Sequence, residues 1–141
     1  MFVIKSDAEK KTTLELINNF KKAIEEVNNS NADDLIKQSQ INGYKIQTAD
    51  LEKQIEEYDE LKKGNLRLPE NLSFSELLGY LTKVRISKGI SQSELAKMIG
   101  VSRQQISRYE LQDYRGASLE RINLILNVLG LTISIKLQDV A

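Results

Sequence analysis

Residues 91–110 read SQSELAKMIGVSRQQISRYE, two short amphipathic segments joined around a single glycine, Gly100. Two helices connected by a tight turn that contains glycine form a helix-turn-helix arrangement. Gly100 can end the first helix in a left-handed conformation that a Cβ would penalise. Ala96 lies where the two helices would cross, so its small side chain lets them approach. The stretch predicts a helix-turn-helix whose second helix covers residues 102–111.

The side chains of this stretch divide into an inward and an outward set. The spacing turns five residues inward to a shared core: Leu95, Ile99, Val101, Ile106 and Tyr109. The second helix then presents its polar residues outward: Arg103, Gln104, Gln105, Ser107 and Arg108. Arg and Gln are the side chains that make paired hydrogen bonds with guanine and adenine edges in the major groove. The outward set therefore favours a surface that reads DNA over one that is only solvated.

Capping serines and terminating glycines predict where the helices of this region begin and end. The predicted amino-terminal caps are Ser73 or Ser75, Ser91, Ser102 and Ser118. Glu94 follows Ser91 by the three residues of a capping box. Gly89 and Gly130 are expected to end the first and last of these helices. Beyond them, apolar and polar residues alternate over 131–137, which predicts a short β-strand that needs a partner.

The preceding half of the chain has a longer helical periodicity. Apolar residues at spacings of three and four predict one helix over about residues 9–28 and another over about 32–63. The polar tract 28–31 between them reads as a turn. The spacing in the second helix is typical of a coiled-coil seam and runs through Gly43, which with Asn42 is the candidate site of a break in the helix. We therefore expect an antiparallel helical hairpin.

A glycine stop and the single proline mark a boundary between the two halves, at Gly64 and Pro69. We predict a mainly α fold with three parts. Residues 1–63 form a hairpin for interaction or dimerisation, 64–72 a linker, and 73–141 a helix-turn-helix domain that ends in the strand.

The composition excludes several classes of function. The chain of 141 residues has no Cys and no His, which rules out disulfides, thiolate metal sites and imidazole acid-base chemistry. The carboxylate pairs Glu25-Glu26 and Glu56-Glu57 fall on polar helix surfaces, and no phosphate-cradling loop or metal-ligand spacing occurs. We expect no enzyme, no cofactor and no metal. With no signal-peptide core and no membrane-length apolar run, we expect a cytoplasmic protein.

The formal net charge of zero hides an asymmetry between the halves. Residues 1–72 hold 11 basic and 14 acidic side chains, which gives −3, whereas residues 73–141 hold 9 and 6, which gives +3. The second half is therefore the better candidate for an anionic partner.

The quoted stretch, followed by SLERINLILNVLGL at 118–131, resembles the Xre-like regulators that include Cro and the lambdoid phage repressors. The similarity covers about residues 73–131, and it implies a four- or five-helix DNA-binding domain. One segment departs from the family pattern. The loop 111–117 lacks the usual proline and is one residue longer, which leaves backbone contacts from this loop, including any by Arg115, in doubt.

Position by position, the resemblance implies roles at the DNA. Gln92, at the start of the first motif helix, corresponds to a phosphate-binding glutamine, and Ser102 would cap the recognition helix beside a phosphate. Arg103 and Gln104 correspond to positions that touch base edges. Glu110 matches an acid that is generally structural. The full predicted DNA-binding set is Gln92, Ser102, Arg103, Gln104, Gln105, Ser107 and Arg108.

These features predict a sequence-specific repressor that places helix 102–111 in the major groove of double-stranded DNA. Because one helix covers half a site, we expect a homodimer on an inverted repeat, formed through strand 131–137 or through the hairpin. Two alternatives stay open. The chain could be an antitoxin that neutralises a toxin through the hairpin and represses its own operon, or an adaptor that binds protein and never DNA.

Overall fold

The computed structural model describes residues 4–140, which contain six α-helices and no β-strand. The chain divides after Asn65 into two compact units. Among the described residues, no helix has both the length and the apolar character needed to cross a membrane.

The first unit is the predicted helical hairpin. Helix α1 covers Asp7–Asn28 and helix α2 covers Asp34–Lys62, and the two pack against each other. Ser6 caps α1 by accepting a hydrogen bond from the backbone N–H of Glu9. Gly43 lies inside α2 without interrupting it. The hairpin prediction is confirmed, and the glycine does not create a break.

Contacts along the hairpin fix its antiparallel direction. Near the chain start, Lys10 Nζ donates to Asp59 Oδ1 at 2.6 Å. Further along, the rings of Phe20 and Tyr44 lie 5.7 Å apart. Because a residue early in α1 meets one late in α2, the helices run in opposite directions.

The second unit contains four short helices that begin at capping serines. They are α3 (Phe74–Ser87), α4 (Gln92–Ile99), α5 (Arg103–Leu111) and α6 (Leu119–Val128). Each preceding serine accepts a hydrogen bond from the backbone of the first turn: Ser73, Ser91, Ser102 and Ser118. Glu94 completes the capping box predicted at Ser91, and Glu76 completes another at Ser73. The caps therefore confirm the predicted helix starts.

One hydrophobic cluster holds these helices together. Its buried members are Leu78, Leu81, Val84, Leu95, Ala96, Ile99, Ile106, Tyr114, Ile122, Ile125, Leu126 and Leu129. Val101 and Tyr109 pack against this cluster while partly exposed. Gly100 ends α4 in the left-handed region at φ 72°, where a residue with a Cβ would be strained. The predicted inward face and the glycine turn are both confirmed.

The strand predicted over 131–137 is wrong for the chain as it stands. Within the described residues, 131–140 contain neither helix nor strand. A strand is held by hydrogen bonds to a neighbour, and the tail has no neighbouring strand in the described part of this chain. Ile135 and Leu137 of the tail are consequently 77% and 92% exposed.

Candidate nucleic-acid interface

Helix α5 presents a polar face outward and an apolar edge inward. Arg103, Gln104 and Arg108 are exposed, whereas Ile106 is fully buried. Gln105 and Ser107, also in the predicted set, are half-buried on the flanks of the helix. The helix is therefore anchored along one side and leaves its guanidinium and amide groups free to meet a ligand.

The start of α5 is fixed by its cap. Ser102 is exposed, and its Oγ accepts a hydrogen bond from the backbone N–H of Gln105 at 3.1 Å. A serine hydroxyl that accepts still has its own hydrogen to donate. Ser102 can therefore cap the helix and donate to an anion at the same time.

Gln92 occupies a different environment from the other predicted residues. It is the first residue of α4 and only 5% exposed. Its Nε2 donates to Glu110 Oε1 at 2.7 Å. The amide has a second hydrogen on the same nitrogen, and the first-turn N–H groups of a helix lack intrahelical partners. Both kinds of donor suit a phosphate oxygen.

A buried ion pair lies behind Gln92, and sequence reasoning did not find it. Arg85 of α3 and Glu110 of α5 are paired with Nη2 to Oε1 at 2.8 Å, and Arg85 Nε donates to Glu110 Oε2 at 3.0 Å. The sequence spacing of the two charged residues could have indicated this pair. Arg85 follows Leu81 by four residues and Glu110 follows Ile106 by four, so each charge lies on a core-facing stripe.

The loop after α5 is closed by a buried tyrosine that sequence reasoning also missed. Tyr114 is 0% exposed, and its ring lies 5.9 Å from that of Tyr109. Asp113 and Tyr114 both have positive φ, at 49° and 59°. Burial raises the pKa of the Tyr114 hydroxyl above its ordinary value, the Glu110 carboxylate raises it further, and Arg85 opposes the shift.

The exposed charged residues of helix α5 are both basic, and two more exposed basic residues lie on α4 and in the loop after α5. Lys97, Arg103, Arg108 and Arg115 are all exposed. Within residues 4–140, no group of three or more acidic side chains is arranged to hold a metal ion. The one acid on α5, Glu110, is paired with Arg85 inside the core, so the helix exposes no acidic side chain.

Comparison with known proteins identifies the domain. Residues 81–136 match the family model described as helix-turn-helix. No curated protein and no solved structure matches the chain. The hairpin unit lies wholly outside the match. The match supports a helix-turn-helix domain of the Xre and lambda-repressor-like type in residues 81–136, a type of domain that occurs in DNA-binding regulators.

Proposed function

We propose that this protein is a sequence-specific repressor that binds an inverted repeat as a homodimer. The observation that carries the proposal is the outward face of α5, where Arg103, Gln104 and Arg108 are exposed on a helix whose other side is buried. In this arrangement α5 enters the major groove, and its first residues contact base edges. Gln92 and Ser102 bind phosphates that fix the position of the helix on the duplex.

The test of this proposal is selection of binding sites from random duplex DNA by the full chain. The wild type is expected to enrich an inverted repeat with half-sites about 34 Å apart. The variant Arg103→Ala/Gln104→Ala is expected to lose that enrichment and to retain weak, salt-dependent binding to any duplex.

A matched control removes the same groups elsewhere. Lys45→Ala/Gln47→Ala also deletes one cation and one amide, from exposed positions on α2. This control is expected to select the same repeat as the wild type. Failure of the wild type to enrich any sequence, or equal losses by both double variants, would contradict base reading by α5.

Two exposed apolar surfaces compete for the role of dimer contact. The tail carries Ile133, Ile135 and Leu137, which are 40%, 77% and 92% exposed. Paired with the tail of a second copy, these residues would gain the strand partner that a single chain lacks. The hairpin carries the other surface, with Leu35 and Ile46 exposed at 77% and 71%.

Analytical ultracentrifugation of charge variants separates these dimer contacts. Ile135→Glu/Leu137→Glu is expected to yield a monomer if the tails pair. Leu35→Glu/Ile46→Glu is the corresponding variant on α2. Monomerisation by the hairpin variant alone would transfer the dimer contact to α2, and a monomeric wild type would remove the homodimer from the proposal.

A second candidate function is favoured by the hairpin surface. Leu35, Ile36 and Ile46 lie on α2 with at least half of each side chain exposed, at 77%, 52% and 71%. Exposed apolar residues concentrated on one element are typical of a surface that binds another protein. An antitoxin that holds a toxin on the hairpin and represses its own operon fits this surface.

Expression of the gene with its native neighbours tests the antitoxin candidate. A small protein encoded beside it should co-purify with the wild type and be lost from Leu35→Glu/Ile46→Glu. Retained DNA selection by that variant would separate the two activities. Partner binding by a chain that selects no DNA sequence would instead support the adaptor.

A further inference from the structure

Three elements of the second unit meet at one buried carboxylate. Glu110 of α5 is 1% exposed, Arg85 of α3 is 2% exposed, and Gln92 of α4 is 5% exposed. Glu110 Oε1 accepts from both Arg85 Nη2 at 2.8 Å and Gln92 Nε2 at 2.7 Å. Glu110 Oε2 accepts from Arg85 Nε at 3.0 Å. A single side chain near the end of α5 therefore holds groups on the two preceding helices.

Arg85 also holds the segment that leads into α4. Its Nη1 donates to the carbonyl oxygen of Ile90 at 2.8 Å, immediately before the capping residue Ser91. The amino end of α4 is thus fixed twice, through the Ile90 carbonyl and through the Gln92 amide. Buried ion pairs of this kind add little to stability compared with apolar residues of the same volume. Their contribution here is geometric.

The chemistry of the carboxylate determines which way the Gln92 amide faces. An ionised carboxylate only accepts hydrogen bonds, so Gln92 must present its nitrogen to Glu110 and not its oxygen. In this orientation the second hydrogen of the Gln92 amide nitrogen, at the amino end of α4, remains to be donated to another acceptor. A glutamine without this acceptor could flip its amide and turn the oxygen, which repels an anion, toward a phosphate.

We propose that Glu110 is a positioning residue for phosphate binding by Gln92. Glu110, near the end of α5, selects the orientation in which the Gln92 amide donates a hydrogen bond to the phosphate, and it holds the amide in that orientation. The phosphate contact at α4 is then coupled to the placement of α5 in the groove. This inference rests on the proposed DNA-binding function and assigns Glu110 no contact with DNA.

A double-mutant cycle on the operator found by site selection tests the coupling. The variants are Gln92→Ala, Glu110→Gln and the two combined, each measured for operator affinity at one salt concentration. Gln92→Ala is expected to weaken binding about tenfold, the size of a lost hydrogen bond to a charged group. Because Glu110 acts through Gln92, the combined variant should bind no more weakly than the weaker single variant. Losses that multiply would overturn the proposal and indicate a purely structural role.

A probe on the DNA gives a readout that a structural role would not change. Operators carrying one methylphosphonate at a time identify the phosphate whose neutralisation weakens the wild type but not Gln92→Ala. Glu110→Gln should be insensitive at that same phosphate and remain sensitive at the others. Full sensitivity there would overturn the proposal.

Two further arms keep the result interpretable. If Glu110→Gln does not fold, Glu110→Asp replaces it, because it keeps the charge for Arg85 and withdraws the acceptor by one methylene. If the wild type selects no operator, the proposed function and this inference both fail. If the wild type binds and the losses multiply, only this inference fails.

Discussion

The two units of this chain hold their helices together in different ways. In the second unit, four short helices enclose one cluster of twelve buried apolar residues. In the hairpin, the buried apolar residues among those described are only Ile4, Ile17, Tyr58 and Leu61. The rest of the seam, including Phe20, Tyr44 and Leu51, stays half-buried. Two helices can cover only one side of each other, whereas four can surround a core. The hairpin is therefore held together along a seam that stays partly open to solvent, whereas the second unit has an enclosed core.

Charges follow the same division. The hairpin pairs Lys10 with Asp59 at 2.6 Å, and their side chains are 31% and 41% exposed. The second unit pairs Arg85 with Glu110 at 2.8 Å, with side chains 3% and 0% exposed. Exposed pairs are weakened by water and salt, whereas breaking a buried pair leaves a charge without compensation. Removing one partner of the pair is therefore expected to cost little in the hairpin and much more in the second unit.

The largest expected effect comes from removing one member of each pair. Arg85→Met should lower the free energy of unfolding of the second unit by about 3–5 kcal/mol, because Glu110 stays buried with its charge. Lys10→Met should cost the hairpin at most about 1 kcal/mol. Urea unfolding followed by circular dichroism, with amide hydrogen exchange in α1 and α3 to separate the units, measures both.

A paired substitution is the control for that experiment. Arg85→Met/Glu110→Met removes both charges and should recover most of the lost stability, leaving the cost of the Gln92 amide without its acceptor. Equal small losses from Arg85→Met and Lys10→Met would contradict the contrast between the units. They would mean that the buried carboxylate reaches water after Arg85 is gone.

Features governed by neighbours in the chain were predictable. Helix starts follow from serines whose hydroxyls bond three residues ahead, as Ser91 does with Glu94. The glycine turn at Gly100 follows from a backbone conformation that one residue type adopts without strain. The hairpin follows from apolar periodicity alone. Each signal lies within a few residues of the structure it specifies.

Features that need distant partners were not predictable in the same way. Gln92 and Glu110 are 18 residues apart and Arg85 and Glu110 are 25 apart, so their hydrogen bonds appear only after the helices pack. Tyr114 takes a positive φ without being glycine, because burial of its ring compensates the backbone cost. The strand at 131–137 was predicted from a real alternation, but it requires a second strand, and residues 4–140 contain none.

Two tyrosines offer the next comparison. Tyr58 in the hairpin donates its hydroxyl to Asp7 Oδ1 at 2.8 Å, whereas the Tyr114 hydroxyl in the core has no hydrogen-bond partner among the described residues. At neutral pH, Tyr58→Phe should cost about 1 kcal/mol and Tyr114→Phe should be neutral or slightly stabilising. Urea unfolding of the two variants beside the wild type measures the difference. A loss of stability in Tyr114→Phe at neutral pH would mean that its hydroxyl is bonded after all.

At alkaline pH, the raised pKa of Tyr114 should lower the stability of the folded protein. Its pKa is raised in the folded chain, so above about pH 10 the unfolded chain loses this proton while the folded chain keeps it. Stability must then fall with rising pH, by up to about 1.4 kcal/mol per unit until the folded pKa is reached. Tyr114→Phe should remove this part of the slope, which urea unfolding across alkaline pH measures. Parallel slopes for wild type and variant would contradict it.

The smallest expected effect comes from replacing glycine by alanine at two positions that differ in backbone conformation. Gly43 lies inside α2, and no atom outside its own helix backbone comes within 4 Å of the position that a Cβ would occupy. Gly43→Ala should therefore stabilise the hairpin by about 0.5–1 kcal/mol. Gly100 has φ 72°, so Gly100→Ala should cost the second unit about 1 kcal/mol or more although its surroundings are equally open. A rise in the unfolding temperature for Gly43→Ala and a fall for Gly100→Ala would show that backbone conformation determines the effect of each substitution. If Gly43→Ala instead destabilises the protein in a concentration-dependent way, a partner packs on α2 at that glycine.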